Sequence, residues 1–248
     1  MKILLIGAGN MGGAMLAGLG EYDVTVVESW EPRRRELARL YPNIRLLDSI
    51  PPLDGYVVLL AIKPQSLDTL ETQGEAQALI SILAGTPLAK LREKIAARAY
   101  IRAMPNIAAL KRKAVTSVTG DASFKEEALS ILSSIGKAIW LESEKQLDIA
   151  TGIGGSAPAW MALVAEALAD GAVNLGLPRA VSYEYVAALM DGMGALLEEE
   201  HPALLKDKVM SPGGTTAAGY AALEKGRVRD SFIEAMAACY RRSVELGK

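Results

Sequence analysis

Three glycines near the start of the chain have the spacing of a dinucleotide-binding loop. Gly7, Gly9 and Gly12 fit the pattern G-x-G-x-x-G, and they stand between the apolar run 3–6 and a helical pattern. In such a loop the first glycine permits a tight turn, the second lets a pyrophosphate approach the backbone, and the third lets helix and strand pack closely. The phosphates would lie at the helix N-terminus, where free N–H groups and the helix dipole favour anions. The spacing predicts a dinucleotide site, against the alternative of a glycine-rich turn that holds no ligand.

A second loop, Ser211–Thr216, combines hydroxyl side chains with a Pro-Gly-Gly turn directly before the alanine-rich helical pattern 217–223. These residue types predict a tight turn with exposed amides and a hydroxyl cap on the helix. Exposed amides at a helix N-terminus form an anion site suited to a small carboxylate. Thr215 or Thr216 also offers a hydroxyl to a neighbouring polar atom. The alternative is an ordinary capping turn.

Charged residues after the second apolar run bear on which dinucleotide binds. Glu28 ends that run about 20 residues beyond the glycine loop, where an acid accepts hydrogen bonds from the ribose hydroxyls. This position favours NADH, because a carboxylate repels the 2′-phosphate of NADPH. Arg33, Arg34 and Arg35 follow, and they either pair with a 2′-phosphate or form a solvated face, which is the interpretation we favour. The sequence therefore leaves NADPH or NADH open.

The region 146–205 lacks an obvious proton donor. It contains no lysine, one arginine (Arg179) and one histidine (His201), and His201 stands in a Glu-His-Pro sequence that is typical of a helix end. We interpret His201 as structural. Many dehydrogenases that reduce a carbonyl use a lysine or histidine as proton donor. The region suits hydride transfer to an imine, whose nitrogen can arrive already protonated.

Apolar runs alternate with helical patterns over residues 1–141, which predicts a mostly parallel α/β sheet. The predicted strands are 3–6, 23–28, 44–47, 56–62, 79–83, 100–104, 115–119 and 138–141. Ligands of such sheets bind at the carboxyl ends of the strands. Ala61, Lys63 and Pro64 end the fourth run, so we expect the cofactor to pass there.

The pattern changes after Glu142, where helix-length segments replace strands. The segment 159–175 is apolar almost all round, which predicts a buried helix. About 100 residues cannot bury several such helices alone, so we expect a second subunit to cover them, most simply in a two-fold dimer. Gly192 and Gly194 lie inside the next helical pattern and fit a close approach between helices.

The composition is that of an ordinary globular protein, with half of its residues apolar and 23% charged. A net charge of −2 gives no reason to expect a nucleic-acid or membrane partner. The single cysteine, Cys239, fits a reducing compartment, and we interpret it as a small core residue. We find no signal peptide, membrane span or metal-binding cluster, and we expect a cytoplasmic protein.

The chain resembles the pyrroline-5-carboxylate reductase family over essentially its whole length. The resemblance is carried by 7–14 (GAGNMGGA), 61–65 (AIKPQ), 102–106 (RAMPN), 155–159 (GSAPA), 176–179 (GLPR) and 201–216 (HPALLKDKVMSPGGTT). The last stretch is highly specific to the family, whereas many dinucleotide enzymes share the first.

The resemblance implies the last step of proline biosynthesis, in which NADPH or NADH passes a hydride to the imine carbon of 1-pyrroline-5-carboxylate. It also implies a Rossmann-type dinucleotide-binding domain at residues 1–142 and an all-helical dimerisation and substrate-binding domain at 143–248. In such enzymes the active site lies at the dimer interface, and dimers often associate into larger rings.

The resemblance also implies roles for individual residues. Thr216 is the expected catalytic residue, because its hydroxyl would hydrogen-bond the ring nitrogen of the substrate. The expected substrate-binding residues are Ser211, Gly213, Gly214, Thr215 and, by a looser match, Glu144. The expected cofactor-binding residues are Gly7, Gly9, Asn10, Met11, Gly12, Glu28, Ala61, Lys63 and Pro64.

Four residues depart from the family pattern. Ile107-Ala108 replace the usual Thr-Pro, Ala157 replaces a glycine, and Lys208 stands where the family commonly has Gln or Asn. None of these changes removes a residue assigned to chemistry.

Three alternatives to this function were weighed. A reductase of a related cyclic imine would use the same two loops. A 2-hydroxy-acid dehydrogenase would need a lysine on the first long helix of the second domain, where none occurs. A non-catalytic dinucleotide sensor would not need the loop Ser211–Thr216.

Overall fold

Eight strands of the computed structural model, which describes residues 1–246, form one sheet. In chain order the strands are β1 (Lys2–Ile6), β2 (Asp23–Val27), β3 (Arg45–Leu47), β4 (Tyr56–Leu60), β5 (Ala78–Ser81), β6 (Tyr100–Met104), β7 (Ala114–Gly120) and β8 (Gly136–Trp140). Their spatial order is β3-β2-β1-β4-β5-β6-β7-β8. Neighbouring strands are parallel except β6 and β7, which are antiparallel. The predicted mostly parallel sheet is confirmed.

The central strands end level with one another. Ile6, the last residue of β1, is in register with Val27 of β2 and with Leu60 of β4. The loops that follow these strands therefore leave the sheet along one edge. In a doubly wound sheet this carboxyl edge is where ligands bind.

Helices of the same chain cover both faces of the sheet. They are α1 (Asn10–Gly18), α2 (Glu31–Leu40), α3 (Leu88–Lys94), α4 (Lys125–Ser133) and α5 (Glu144–Thr151). Alternate residues of β1 belong to two separate apolar clusters: Leu5 packs with Met15 of α1, and Leu4 packs with Leu91 of α3. Side chains of a strand point alternately to its two faces, so a strand covered on both sides is apolar throughout.

Five further helices complete the chain. They are α6 (Ala157–Asn174), α7 (Arg179–Glu199), α8 (Pro202–Val209), α9 (Thr215–Lys225) and α10 (Val228–Leu246). A Rossmann-type sheet followed by helices is the predicted fold class, which is confirmed.

The described residues divide into two compact units. The sheet unit comprises residues 1–156 and 239–246, and the helical unit comprises residues 157–238. The expected domain boundary at residue 142 falls before α5, whereas the compact units divide after it. The reason is that α5 packs against β6 and β7, with Leu147 buried.

The helical unit leaves most of its apolar side chains exposed. Among its described residues the buried ones are Ala169, Ser182, Val186 and Leu205. The single chain does not bury helix 159–175, since Leu163 of α6 is 64% exposed, and the expected cover by a second subunit stays a prediction.

The two glycines of α7 face open space. A Cβ atom added at Gly192 or Gly194 would meet nothing within 4 Å. The close helix approach expected there does not occur within this chain. Within the described residues, no helix is both long and apolar enough to cross a membrane.

Candidate active site

A cavity of about 850 Å³ lies at the carboxyl edge of the sheet, within the sheet unit. Most of the predicted cofactor residues line it, namely Gly7, Gly9, Asn10, Met11, Glu28, Ala61, Lys63 and Pro64. Gly12, the remaining predicted residue, is buried and does not line the cavity. Neighbouring strands are parallel in this part of the sheet, so their carboxyl ends lie along one edge. Residues that are far apart in sequence therefore line the same cavity.

The glycine loop has the geometry that its spacing predicts. Gly7 has a φ of +90°, and a Cβ there would lie 2.8 Å from the carbonyl oxygen of Ala61. A Cβ at Gly12 would overlap the carbonyl oxygen of Gly7. Both positions therefore require glycine, the first for its turn and the second for close packing.

The space over Gly9 is open, because a Cβ added there would meet nothing within 4 Å. Gly9 is also the N-cap of α1 and forms no side-chain cap. The first N–H groups of α1 have no partner inside the helix, so they are available to phosphate oxygens. The residues present fit a dinucleotide.

The carboxylate of Glu28 is held at the end of β2 by two backbone amides. One oxygen accepts a hydrogen bond from Ala8 N at 3.0 Å and the other accepts one from Trp30 N at 2.9 Å. Glu28 thereby ties the end of β2 to the glycine loop.

The three arginines that follow do not form one solvated face, so that interpretation is wrong for two of them. Arg33 is half-buried and donates from Nε to the carbonyl oxygen of Ala8 at 2.8 Å. Arg34 donates from Nη1 to the carbonyl oxygens of Glu28 and Ser29 at 2.8 and 2.9 Å. Arg35 alone is on the exposed face, where it pairs with Glu31.

The loop after β6 is fixed by Asn106. Its side chain accepts a hydrogen bond from Ala108 N at 3.2 Å and donates one to the carbonyl oxygen of Gly154 at 2.9 Å. The first bond caps a short 3-10 turn, Ile107–Lys111. The departure from the family pattern at Ile107-Ala108 therefore leaves a formed turn.

Glu144 forms an ion pair with a buried arginine, Arg102. Its Oε1 accepts hydrogen bonds from Arg102 Nη1 at 2.7 Å and from Leu88 N at 2.9 Å. Arg102 also pairs with Asp148 at 3.3 Å. The arginine thus joins β6 to α5, and the substrate contact expected of Glu144 stays a prediction.

Cys239 is half-buried rather than a core residue. Its Sγ lies 3.0 Å from the Oγ of Ser156, and both line a smaller cavity of about 170 Å³ together with Arg102. The interpretation of Cys239 as a small core residue is therefore wrong.

The loop Ser211–Thr216 of the helical unit forms the predicted tight turn. Gly214 N donates to the carbonyl oxygen of Ser211 at 3.0 Å, and Gly213 has a φ of +69°. The predicted hydroxyl cap is wrong, because the N-cap of α9 is Gly214 and no side chain caps it. The amides at the start of α9 therefore remain available to an external anion.

The helices around this loop are fixed by charged and hydrogen-bonded side chains. Tyr220 donates its hydroxyl hydrogen to Glu224 at 2.6 Å, and Arg229 donates to both residues at 2.6 Å. The hydrogen bond from Arg229, followed by that from Tyr220, lowers the pKa of Glu224 below its usual value. Lys208 pairs with Glu200 at 2.6 Å.

His201 has the structural role that was predicted. It is the N-cap of α8, and its Nδ1 accepts a hydrogen bond from Ala203 N at 3.2 Å. In the part of the chain that the structure describes, no three His, Cys, Asp or Glu side chains are grouped as a metal site.

The cavity also includes residues that the sequence interpretation did not assign to the site. Ser29, Asp48, Ala84, Met104 and Pro105 line it. Each lies just after the carboxyl end of a strand or at that end, so the rule for ligand binding in parallel sheets could have identified them.

Two family models match the chain. "Pyrroline-5-carboxylate reductase dimerisation" matches residues 144–246, and "NADP oxidoreductase coenzyme F420-dependent" matches residues 2–85. A pyrroline-5-carboxylate reductase from Synechocystis sp. is 40% identical, over 100% of this chain and 99% of the relative. The one from Thermus thermophilus is 36% identical, with the same coverage.

Solved structures give the same result for the fold. A pyrroline-5-carboxylate reductase from Coxiella burnetii matches with a TM-score of 0.88 at 28% identity, over 99% of this chain and 98% of that one. The enzyme from Streptococcus pyogenes matches with a TM-score of 0.84 at 28% identity, over 99% and 98%. With full-length relatives at 36–40% identity, the chain belongs to the pyrroline-5-carboxylate reductase family.

Proposed function

We propose that this chain reduces 1-pyrroline-5-carboxylate to L-proline with NADPH or NADH, as the last step of proline biosynthesis. The observation that carries the proposal is the pairing of two anion-binding features in one chain: the cavity at the glycine loop and the uncapped start of α9. The first suits a dinucleotide and the second suits the carboxylate of a small imino acid. Full-length likeness to named reductases supports this pairing.

The cofactor, when bound, supplies a hydride. The chain's part is to hold and orient it. The open space over Gly9 and the N–H groups at the start of α1 receive the pyrophosphate. Ala61, Lys63 and Pro64 line the cavity after β4 and would contact the bound cofactor there.

The substrate carboxylate is bound by the loop Ser211–Thr216. The amides of Thr215 and Thr216, at the start of α9, hold the carboxylate. Ser211 and Gly213 shape the turn that presents them. The Gly214 amide, which the family resemblance also assigns to the carboxylate, donates to Ser211 within the turn. A positioned imine needs little else from the protein, since orientation by itself supplies much of the rate.

The Thr216 hydroxyl would accept a hydrogen bond from the protonated ring nitrogen and so orient the imine carbon of the bound substrate. With the imine nitrogen already protonated, the hydride that the bound cofactor would supply gives a secondary amine, so the chain itself need not provide a proton. The region 146–205, which lacks lysine, is consistent with this chemistry. Glu144 is proposed near the substrate on the family resemblance, although its Oε1 is bonded to Arg102 and Leu88.

The helical unit is proposed to form a homodimer. Exposed apolar side chains on α6 and α7, such as Leu163 at 64% and Leu189 at 51%, supply the surface. The match of residues 144–246 to a dimerisation model supports the assignment of residues 143–248 as the dimerisation domain. Association of dimers into a larger ring is the further step that the family resemblance implies.

The test is an absorbance assay of cofactor oxidation with 1-pyrroline-5-carboxylate, comparing the native chain with Thr216→Val and Thr216→Ser. By analogy with the loss of one preorganised donor, removing the hydroxyl that accepts from the ring nitrogen should lower the turnover of the valine variant by about 10²-fold. The serine variant keeps the hydroxyl and should keep most of the activity. Equal turnover in all three proteins would contradict the role of the hydroxyl.

The same assay separates the alternatives. Oxidation with other cyclic imines but not with 1-pyrroline-5-carboxylate would identify a related imine reductase. Activity with a 2-hydroxy acid would identify a dehydrogenase of that class, which the absence of a lysine in 146–205 disfavours. Cofactor binding without turnover on any of these compounds would identify a sensor.

A further inference from the structure

The geometry points to NADH as the preferred cofactor of this chain, selected by the carboxylates of Glu28 and Asp48. The inference rests on the proposed dinucleotide site and goes beyond it by naming which cofactor the site takes. It depends on where the acidic and basic side chains around the end of β2 are placed.

Two carboxylates line the same end of the cavity. Glu28 follows β2 and Asp48 follows β3, and both residues line the cavity wall. Glu28 N donates to the carbonyl oxygen of Leu47 at 3.0 Å, which brings the ends of the two strands side by side. The end of β2 is where a doubly wound fold holds the adenosine ribose, so both acids face that ribose.

The carboxylate of Glu28 is held in place before any ligand binds. Its two oxygens accept hydrogen bonds from Ala8 N and Trp30 N at 3.0 and 2.9 Å. A carboxylate has about four lone-pair sites, so two remain for the 2′- and 3′-hydroxyls of a ribose. A hydroxyl can donate to this group, whereas a 2′-phosphate with a charge of about −1.5 to −2 is repelled.

The nearby arginines make their hydrogen bonds to other groups of the chain. Arg33 is bonded to the carbonyl oxygen of Ala8 and to Glu36, and Arg34 is bonded to two backbone carbonyl oxygens. Neither is among the residues that line the cavity. The cation that does line it, Lys63, follows β4 and so lies on the far side of β1 from β2.

The experiment measures dissociation constants of NADH and NADPH by nicotinamide fluorescence on the full-length protein, without substrate. The native chain should bind NADH about tenfold or more tightly than NADPH, which corresponds to one strong hydrogen bond exchanged for a repulsion. In Glu28→Gln the dissociation constant of NADPH should be only a few-fold higher than that of NADH, because NADPH binds more tightly once the charge is removed. Asp48→Asn should narrow this difference less, because Asp48 is exposed.

Glu31→Gln is the matched control. It removes the same charge three residues further along, at the start of α2, but Glu31 lies outside the cavity and pairs with Arg35. In Glu31→Gln the ratio of the NADPH and NADH dissociation constants should stay within about twofold of the native value. Added salt should raise the affinity of NADPH relative to that of NADH more in the native chain than in Glu28→Gln, because it screens the repulsion of the 2′-phosphate while it acts equally on the pyrophosphate contacts of both cofactors.

The outcomes separate this inference from the proposed function. Equal or tighter binding of NADPH by the native chain, or an unchanged ratio in both Glu28→Gln and Asp48→Asn, overturns the inference. Selective NADH binding without reduction of 1-pyrroline-5-carboxylate supports the inference and overturns the proposed function. Reduction of 1-pyrroline-5-carboxylate chiefly with NADPH supports the proposed function and overturns the inference. Binding of neither cofactor overturns both the inference and the proposed function.

Discussion

The sheet unit buries its apolar side chains within one chain, whereas the helical unit does not. Leu59 and Ile80 of the sheet are 1% and 0% exposed, while Leu163 and Leu189 of the helical unit are 64% and 51% exposed. Both regions are rich in apolar residues. The difference teaches that apolar content predicts burial but does not say which chain provides the cover.

The cause is the number of layers. In the sheet unit, helices of the same chain lie on both faces of parallel strands, so each apolar residue meets another within the chain. In the helical unit, α6 packs on α7 and the other sides of both remain open. Helices that are apolar on every side need a second layer, and a second copy of the chain supplies it in the proposed dimer.

The largest expected effect is in the core of the sheet. Leu59→Ala should lower the free energy of unfolding by about 4 kcal/mol, because Leu59 is 1% exposed and its removal leaves a cavity. Urea unfolding followed by circular dichroism measures this. The matched control is Leu40→Ala on α2, where Leu40 is 61% exposed and the change should stay within about 0.5 kcal/mol. Similar losses in both variants would contradict the contrast between core and surface.

A charge on the open face of the helical unit should act on assembly instead. Leu189→Glu should raise the dissociation constant of the dimer by about 10²-fold, because a buried unpaired carboxylate is strongly disfavoured. Sedimentation velocity over a range of concentrations measures the shift. Leu40→Glu places the same charge on an exposed leucine of the sheet unit and should leave the dimer intact. A native chain that is monomeric at all concentrations would remove the basis of the comparison.

The ion pairs of Arg102 should matter more than any exposed pair. Arg102→Met removes hydrogen bonds to Glu144 and Asp148 and should cost about 2 kcal/mol of unfolding free energy, discounted for the partial exposure of both carboxylates. Arg98→Met removes the exposed ion pair with Glu75 and should change the free energy of unfolding by at most about 0.5 kcal/mol. Chemical denaturation of the two variants at one pH decides between these values, and equal losses would refute the buried role of Arg102.

The smallest expected effect concerns pH and the helical unit. Arg229 lowers the pKa of Glu224 in the folded state below the unfolded value, so this group stabilises the fold above the unfolded pKa. The stabilisation is lost as the pH falls through the folded pKa, below the ordinary value of 4.5. At pH 7 the melting temperature of Glu224→Gln should therefore be slightly lower than that of the native chain. The difference between the two melting temperatures should shrink as the pH falls. Melting temperatures recorded by circular dichroism test this, and a constant difference at every pH would contradict it.

Much of this molecule is determined locally and was predictable from the sequence. The strand–glycine loop–helix unit at residues 2–18 follows from hydrophobic periodicity and turn chemistry over a few residues. The turn before α9 follows from its Pro-Gly-Gly sequence, although the hydroxyl cap did not form because Gly214 is the N-cap. Family motifs then indicated the reaction.

Only the tertiary structure decided which distant groups meet. Glu144 reaches Arg102 across 42 positions, and Arg33 turns back to Ala8 across 25, so no local pattern predicts either contact. Asp48 joins the cavity because β3 is next to β2, and the compact sheet unit extends to residue 156 because α5 packs on the sheet. Periodicity and turn preferences act between residues close in sequence, whereas the partners of charged side chains are set by strand order and packing.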